Sequence, residues 1–328
     1  MGSDPSWGHQ SGFPLIWVYD FVEKDSPMDE YERAFRELQF KTTFLEKKGN
    51  EFQDWFATIM EKRFPGDFIR VRPWGKMGDR KNDGYLRSTR SLFQVYAPND
   101  ITAKETLAKI DEDYNGALPY WDEHFDTWIF VHNSKKGLGP DVTAKLLELN
   151  TLRPPAVVAW GFEELRQVVF ELAPAELASL FGPAPRRRDM VDLGLESLSP
   201  VLDQVASMEP NPDTDLRPPP ADKINRNMLS ENVATLLKAG MSRVDLVRKY
   251  FRVQPERKDE IAESFRQRYD ELRADGLTPD EIFAHLQRHA AGDGVPSPAR
   301  QSAALAVLAF FFEECDIYER EVFDGGNA

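Results

Sequence analysis

The sequence predicts an α/β domain, with a mixed sheet flanked by helices, followed by an all-α helical domain. In the first half, short apolar strands alternate with helical periodicity, whereas from Lys223 to Tyr318 the pattern is helical throughout. Between the halves lies a proline-rich stretch whose prolines disfavour helix and sheet. The expected organisation is an N-terminal tail at 1–30, an α/β domain at 31–182, a linker at 183–222 and a helical domain at 223–322.

The composition predicts a cytoplasmic protein without membrane contact. The chain has 328 residues, of which 41% are hydrophobic, enough to fill a core in each of two domains. No apolar run approaches the ~20 residues that cross a bilayer, and the N-terminus lacks the pattern of a signal peptide. The single cysteine, Cys315, excludes a disulfide within the chain. A reducing cytoplasm fits these features.

The net charge and the number of metal-binding residues exclude further classes of function. The net charge of −14 argues against a protein that coats nucleic acid with its whole surface. Five scattered histidines and one cysteine give no zinc-type spacing. Any metal site must therefore be built from carboxylates, for which Mg²⁺ or Mn²⁺ is the expected cation.

The elements of the first half follow in a clear order. A helical pattern from Met28 to about Arg63 breaks near Lys48 and Gly49. Beyond it we expect strands alternating with helices, which indicates a partly parallel sheet covered by helices. The predicted strands are Phe68 to Trp74, Gly84 to Leu86, Leu92 to Ala97, Thr127 to His132 and Ala156 to Trp160.

Three polar residues of this region form a candidate metal site. Asp83 begins one predicted strand, Gln94 lies on the next, and Glu51 lies on the preceding helix. Two carboxylates and an amide oxygen are hard ligands suited to Mg²⁺. Residues 61–96 carry nine basic and four acidic side chains, so they are positive by five and suited to phosphate contact. This combination predicts metal-assisted hydrolysis of a phosphodiester.

Each of these residues also has an ordinary structural interpretation. Asp83 and Gly84 form a common turn signal, and an acidic residue in a first helical turn often only complements the helix dipole. Gln94 could be a core polar group with satisfied hydrogen bonds. A charged stretch is most often a solvated surface.

The stretch from Arg72 to Pro98, RPWGKMGDRKNDGYLRSTRSLFQVYAP, together with GNEFQDWF before it, resembles the Mrr-like branch of the PD-(D/E)xK nuclease superfamily. In that branch glutamine replaces the usual acidic ligand. The resemblance covers roughly 45–175 and implies a restriction-endonuclease-like fold and Mg²⁺- or Mn²⁺-dependent cleavage of DNA. It assigns Glu51, Asp83 and Gln94 as metal ligands and catalytic residues.

One departure from this family concerns its catalytic lysine. That lysine would fall two residues after Gln94, where this sequence has Tyr96. A lysine there helps to position or deprotonate water and stabilises developing charge. Lys81 and Lys76 are the candidates for its replacement, and Lys81 is the preferred fourth catalytic residue.

The second half resembles a different family. The segments KINRNMLSENVATLLKAGM, VRKYF, IAESFRQRYDEL and AVLAFFFEECDIYE are similar to the C-terminal domain of effectors in bacterial ABC-three-component systems, which include Lamassu-type anti-phage defence. The resemblance covers about 218–320. It implies attachment to an SMC-like ABC ATPase subunit and a small middle subunit, with the N-terminal domain as the effector.

Three functions remain open from the sequence. The first is a defence endonuclease held inactive until its ATPase partner senses foreign DNA. The second is a catalytically inactive DNA-binding or sensor subunit, which Tyr96 favours. The third is an assembly scaffold, against which the basic segment at 61–96 argues. Self-association is also open.

Overall fold

The computed structural model describes residues 28–72, 80–134, 136–152, 155–206, 223–292, 294–314 and 317–318. In these residues the chain forms one five-stranded sheet and many helices, so the predicted mixed sheet is confirmed. Most of the predicted tail, the candidate Lys76 and the cysteine at 315 lie outside the described residues.

The sheet combines an antiparallel and a parallel half. Its strands run in the order β1-β2-β3-β4-β5, with β1, β2 and β3 antiparallel and β3, β4 and β5 parallel. Side chains alternate between the two faces along a strand, so Phe93 and Leu92 enter different cores. The strands are β1 Phe68–Arg70, β2 Gly84–Leu86, β3 Ser91–Tyr96, β4 Thr127–His132 and β5 Ala156–Trp160.

Helices cover both faces of this sheet. The helices α1, α2 and α5 pack on one face and enclose an aromatic core, whereas α3 and α4 pack on the other. The N-terminal helices are α1 Glu30–Glu46, α2 Gly49–Arg63, α3 Ala103–Trp121, α4 Pro140–Leu152, α5 Phe162–Phe170 and α6 Pro174–Phe181.

The C-terminal helices surround α14, which is buried along most of its length. Gly240 of α10 permits a close approach, because a Cβ at that position would lie 2.2 Å from the carbonyl oxygen of Leu305. The helices are α7 Arg187–Val191, α8 Leu195–Ala206, α9 Lys223–Arg226, α10 Glu231–Met241, α11 Val244–Val253, α12 Glu256–Ala274, α13 Pro279–Ala291 and α14 Pro298–Glu313.

The stretch that the sequence predicts as a linker contains α7 and α8. The side chains of Leu198, Val201 and Leu202 are fully buried in the C-terminal core, where α8 packs against α12, α13 and α14. Between its prolines this stretch carries a short amphipathic piece, Leu193 to Met208, whose apolar residues are spaced to face one side of a helix and so can be buried. Residues 207–222 lie outside the described part.

Helix α1 belongs to both cores. Phe40 and Phe44 are buried with the sheet-side aromatic residues of the N-terminal half. Phe35 and Leu38 are buried among the C-terminal helices, where α1 packs against α10 and α13. The two halves therefore share one rigid element.

We expect Leu198→Ala to lower the free energy of unfolding by about 2–5 kcal/mol, because it leaves a cavity in a buried helix contact. Urea denaturation measures the change. The matched control is Val191→Ala in α7, whose side chain is 62% exposed and which should change stability by less than about 0.5 kcal/mol. Equal, small effects of both substitutions would contradict the packing of α8.

Candidate functional site

Asp83 and Gln94 meet where β2 begins beside β3. The backbone N–H of Asp83 donates to the carbonyl oxygen of Phe93 at 2.9 Å. The backbone N–H of Val95 donates to Asp83 Oδ2 at 2.7 Å. Both Asp83 and Gln94 are almost fully buried. The structure therefore places two of the predicted ligands on neighbouring strands.

The carboxylate of Asp83 is already held by donors of the chain. Val95 binds one oxygen, and Gln53 Nε2 of α2 donates to the other. A buried carboxylate without donors is strongly unfavourable, so these contacts stabilise its position. Asp83 thereby joins the sheet to α2.

Glu51 does not take part in this arrangement. It is exposed in the first turn of α2, whereas Gln53 reaches Asp83. The two residues flank the buried stripe of α2 on opposite sides, because two helical positions differ by about 200°. Gln53 gave no chemical signal in the sequence, although its position beside the apolar residues Phe52 and Phe56 placed it near the sheet.

Lys81 contacts the carboxylates of α3. Its Nζ binds Glu112 Oε1 and lies 3.1 Å from Asp113 Oδ1, which also contacts Lys109 at 2.9 Å. Gly116 makes room for the lysine stem, since a Cβ there would be 2.9 Å from Lys81 Cγ. Burial lowers the pKa of Lys81, but the hydrogen bonds and charges of Glu112 and Asp113 raise it above its ordinary value overall. A lysine in this state is a poor base.

The loop that carries Lys81 is fixed to α3 by further contacts. Arg80 and Lys81 have φ values of 54° and 61°, in the left-handed region that non-glycine residues rarely adopt. Trp121 Nε1 donates to the carbonyl oxygen of Arg80 at 3.1 Å, and the Arg80 guanidinium lies 4.6 Å from the ring centre of Tyr120. These contacts compensate the strained backbone.

Tyr96 lies on β3 two residues after Gln94, where the resemblance to nucleases would place a lysine. Its ring packs against Phe130 with 6.0 Å between centres. Burial and the charge of Glu105 raise the pKa of Tyr96, although a hydrogen bond with Thr106 opposes them. The phenol therefore stays neutral and supplies no positive charge.

The described residues do not form a converging set of carboxylate ligands around Asp83. Mg²⁺ usually needs carboxylate oxygens that converge on one point, whereas both oxygens of Asp83 already accept hydrogen bonds and Glu51 is directed elsewhere. Gln94 Oε1 is buried and has no hydrogen-bond partner among the described residues, but it is neutral. Within the described ranges no three His, Cys, Asp or Glu residues are grouped as a metal site.

The positive segment at 61–96 is largely paired with acidic side chains. Arg63 binds Glu171 at 2.6 Å, and Arg90 binds Asp126 at 2.9 Å. Further pairs are Lys62 with Glu176, and Arg70 and Arg72 with Asp54. The folded chain therefore offsets much of the charge that the sequence segment suggested.

His132, at the end of β4, is a buried neutral side chain. Its Nδ1 accepts a hydrogen bond from the backbone N–H of Ser134 at 3.2 Å. A Cβ at Gly161 would lie 2.7 Å from its Cε1, so the ring packs directly on that backbone. Burial lowers the pKa of His132 to about 4, while the charge of Glu164 opposes the shift.

Residues 196–319 match the family model described as C-terminal domain 10 of the ABC-three component (ABC-3C) systems. The match indicates a component of such a system. It begins within α8, the helix that the structure packs into the C-terminal core. No curated protein and no solved structure is significantly similar to the chain. Among the described helices, none is long and apolar enough to span a membrane.

We expect Asp83→Asn to lower the free energy of unfolding by about 1–3 kcal/mol, because its new NH₂ group would face a hydrogen-bond donor. The loss should be the same in Mg²⁺ and in EDTA. Thermal and urea unfolding measure it. Asp126→Asn, at an exposed ion pair, is the control and should change stability by at most about 1 kcal/mol. Stabilisation of the unsubstituted chain alone by Mg²⁺ would instead indicate a metal site.

We expect His132 to make the chain less stable in acid. Its pKa falls from 6.5 to about 4 on folding, so the unfolded chain binds the proton more readily between these values. The stability contributed by neutral His132 is present above pH 6.5 and is lost as the pH falls to about 4. Between pH 7 and pH 5 the loss should be about 2 kcal/mol.

His132→Gln should remove this part of the pH dependence, as measured by urea unfolding at both pH values. His124→Gln, at an exposed histidine, is the matched control. An identical pH profile for His132→Gln and the unsubstituted chain would contradict the buried neutral state.

Proposed function

We propose that this chain is a subunit of a Lamassu-type ABC-three-component defence system and that its N-terminal domain recognises DNA without cleaving it. The observation that carries the assembly role is the match of residues 196–319. The C-terminal helical domain then attaches the chain to the SMC-like ATPase and the middle subunit. The α/β domain acts as the recognition module of this complex.

The geometry around Asp83 supports a module without catalysis. The carboxylate contacts Gln53 and the Val95 backbone, and the ammonium of Lys81 contacts Glu112 and Asp113. Metal-assisted hydrolysis needs a cation on the scissile phosphate and a group that positions water. The contacts of Asp83 and Lys81 within the chain therefore favour recognition without cleavage.

The ion-paired basic residues support contact with DNA. Pairs such as Arg90 with Asp126 are substantially exposed, and exposed pairs contribute only about 0–1 kcal/mol. A phosphate can therefore displace the carboxylate at small cost. Such contacts fix a duplex by its backbone and predict affinity that falls steeply with salt.

A DNA endonuclease is the second candidate. The order of antiparallel β1, β2 and β3 followed by parallel β4, with Asp83 before β2 and Gln94 on β3, favours it. This order agrees with the resemblance to Mrr-like nucleases. Activation by the partner subunits would then have to rearrange the contacts of Lys81 and Asp83.

The test uses a complex of the full-length chain with its ATPase and middle subunits, supplied with ATP, Mg²⁺ and linear or branched DNA. DNA binding and DNA cleavage are both measured. We expect DNA binding that weakens with salt and no cleavage attributable to this chain. Asp83→Asn should bind DNA like the unsubstituted chain once its folding is verified, whereas Arg90→Glu should bind more weakly. DNA cleavage that Asp83→Asn abolishes would establish the endonuclease instead. Failure of the chain to join the complex would refute the assembly role.

A further inference from the structure

A groove of about 680 Å³ opens on the C-terminal domain between α9, α11 and the ends of α10 and α14. Apolar side chains form part of its lining, namely Ile224, Met241, Val244 and Phe312. Met241 is 37% exposed although it is large and apolar. Ile224 is half-buried, whereas Val244 and Phe312 are buried, so Met241 and Ile224 supply the apolar surface that meets solvent.

Cationic side chains surround this apolar surface. Lys238 and Arg248 line the groove and are exposed. Lys223 also lines it, but its Nζ is buried, donating to the carbonyl oxygens of Phe312 at 2.9 Å and Ile317 at 2.5 Å. These two hydrogen bonds fix the position of the Lys223 nitrogen beside the groove.

The outer side of α11 extends this positive surface. Lys249 and Arg252 are exposed one turn further along the helix from the groove, and Val253 beside them is 80% exposed. The whole chain carries a net charge of −14. A local excess of positive charge around apolar side chains is unusual on such a protein.

Met228 adds a strained apolar side chain in the turn that follows α9. Its φ is 51°, in the left-handed region, and its side chain is 81% exposed. Strain at a non-glycine residue without a packing gain often marks a functional contact. The turn is continuous with the α9 wall of the groove, because the Leu229 N–H donates to the carbonyl oxygen of Ile224 at 3.3 Å.

We propose that this groove binds an acidic amphipathic peptide segment of a partner subunit, with apolar side chains on Met241 and carboxylates beside Lys238 and Arg248. The inference rests on the proposed assembly function and names the surface that performs it. Helical segments commonly bind in such grooves through an apolar face. The groove elements all lie within the matched domain, 196–319.

The groove fits an acidic peptide better than a nucleic acid. Asp245 and Glu313 are also part of its lining, and Glu313 lies 2.9 Å from Arg248. These carboxylates repel a continuous phosphodiester backbone, whereas a peptide can place its own apolar or cationic side chains beside them. The apolar lining likewise has no counterpart in a phosphate backbone.

The test measures the affinity of the full-length chain for the purified ATPase and middle subunits. Lys238→Glu should weaken binding about tenfold and reduce its salt dependence, because it places an anion beside the acidic segment. Asp245→Lys should strengthen binding about threefold, because it removes the opposing charge. Arg273→Glu, at an exposed cation of α12 outside the groove lining, is the charge-matched control and should bind unchanged.

The outcomes separate this proposal from the proposed function. Binding of the unsubstituted chain, with no effect of Lys238→Glu or Asp245→Lys, overturns the groove and leaves the assembly role intact. No binding by the unsubstituted chain refutes the assembly role itself. If Lys238→Glu loses duplex DNA binding while partner binding is unchanged, the groove binds nucleic acid and the peptide proposal is wrong. Circular dichroism and thermal unfolding verify that each variant is folded.

Discussion

The burial of α1 in two cores holds the two halves of the chain together. Phe40 and Phe44 pack with the sheet-side residues, while Phe35 and Leu38 pack among the C-terminal helices. Burying one such side chain contributes about 1.5–3 kcal/mol. The ion pair of Lys41 with Asp280 across the same boundary is worth less, because Lys41 is partly exposed. Apolar contact therefore dominates the coupling between the halves.

This coupling bears on how a docked partner could influence the α/β domain. A conformational change in α10 or α13 would act directly on α1, because they are in contact. Helix α1 in turn packs in the aromatic core beneath the sheet. Glu37 of α1 also binds Arg166 of α5 at 2.7 Å. The route from the C-terminal helices to the sheet is thus a continuous set of packed elements, which is a physical basis for coupling between two sites.

Much of the fold could be predicted from local patterns. The strands β2, β4 and β5 have the predicted bounds, because each is a short apolar run enclosed by turn residues. Helix α8 lies in the predicted linker, because prolines on both sides gave a stronger local signal than its apolar spacing. Its helical state depends on burial against segments much later in the chain.

The site was harder to predict because its contacts are set by tertiary packing. The proximity of Asp83 to the strand of Gln94 follows from the antiparallel order of β2 and β3, which the sequence does indicate. The contact of Gln53 with Asp83 depends on how α2 rotates against the sheet. The contact of Lys81 with Glu112 depends on the space above Gly116. The residue types at these positions do not by themselves predict these contacts.

The position of α1 near the start of the chain also shapes how the protein folds during synthesis. Its partners α10 and α13 begin about 185 and 233 residues after it ends, since α1 ends at residue 46 and they begin at 231 and 279. At about 5–20 residues per second, the ribosome makes them roughly 10–50 s later. Throughout that interval the side of α1 that carries Phe35 and Leu38 has no native partner among those helices. The nascent α/β domain therefore exposes an apolar surface that can aggregate. Chaperones that bind such surfaces would protect it until translation is complete.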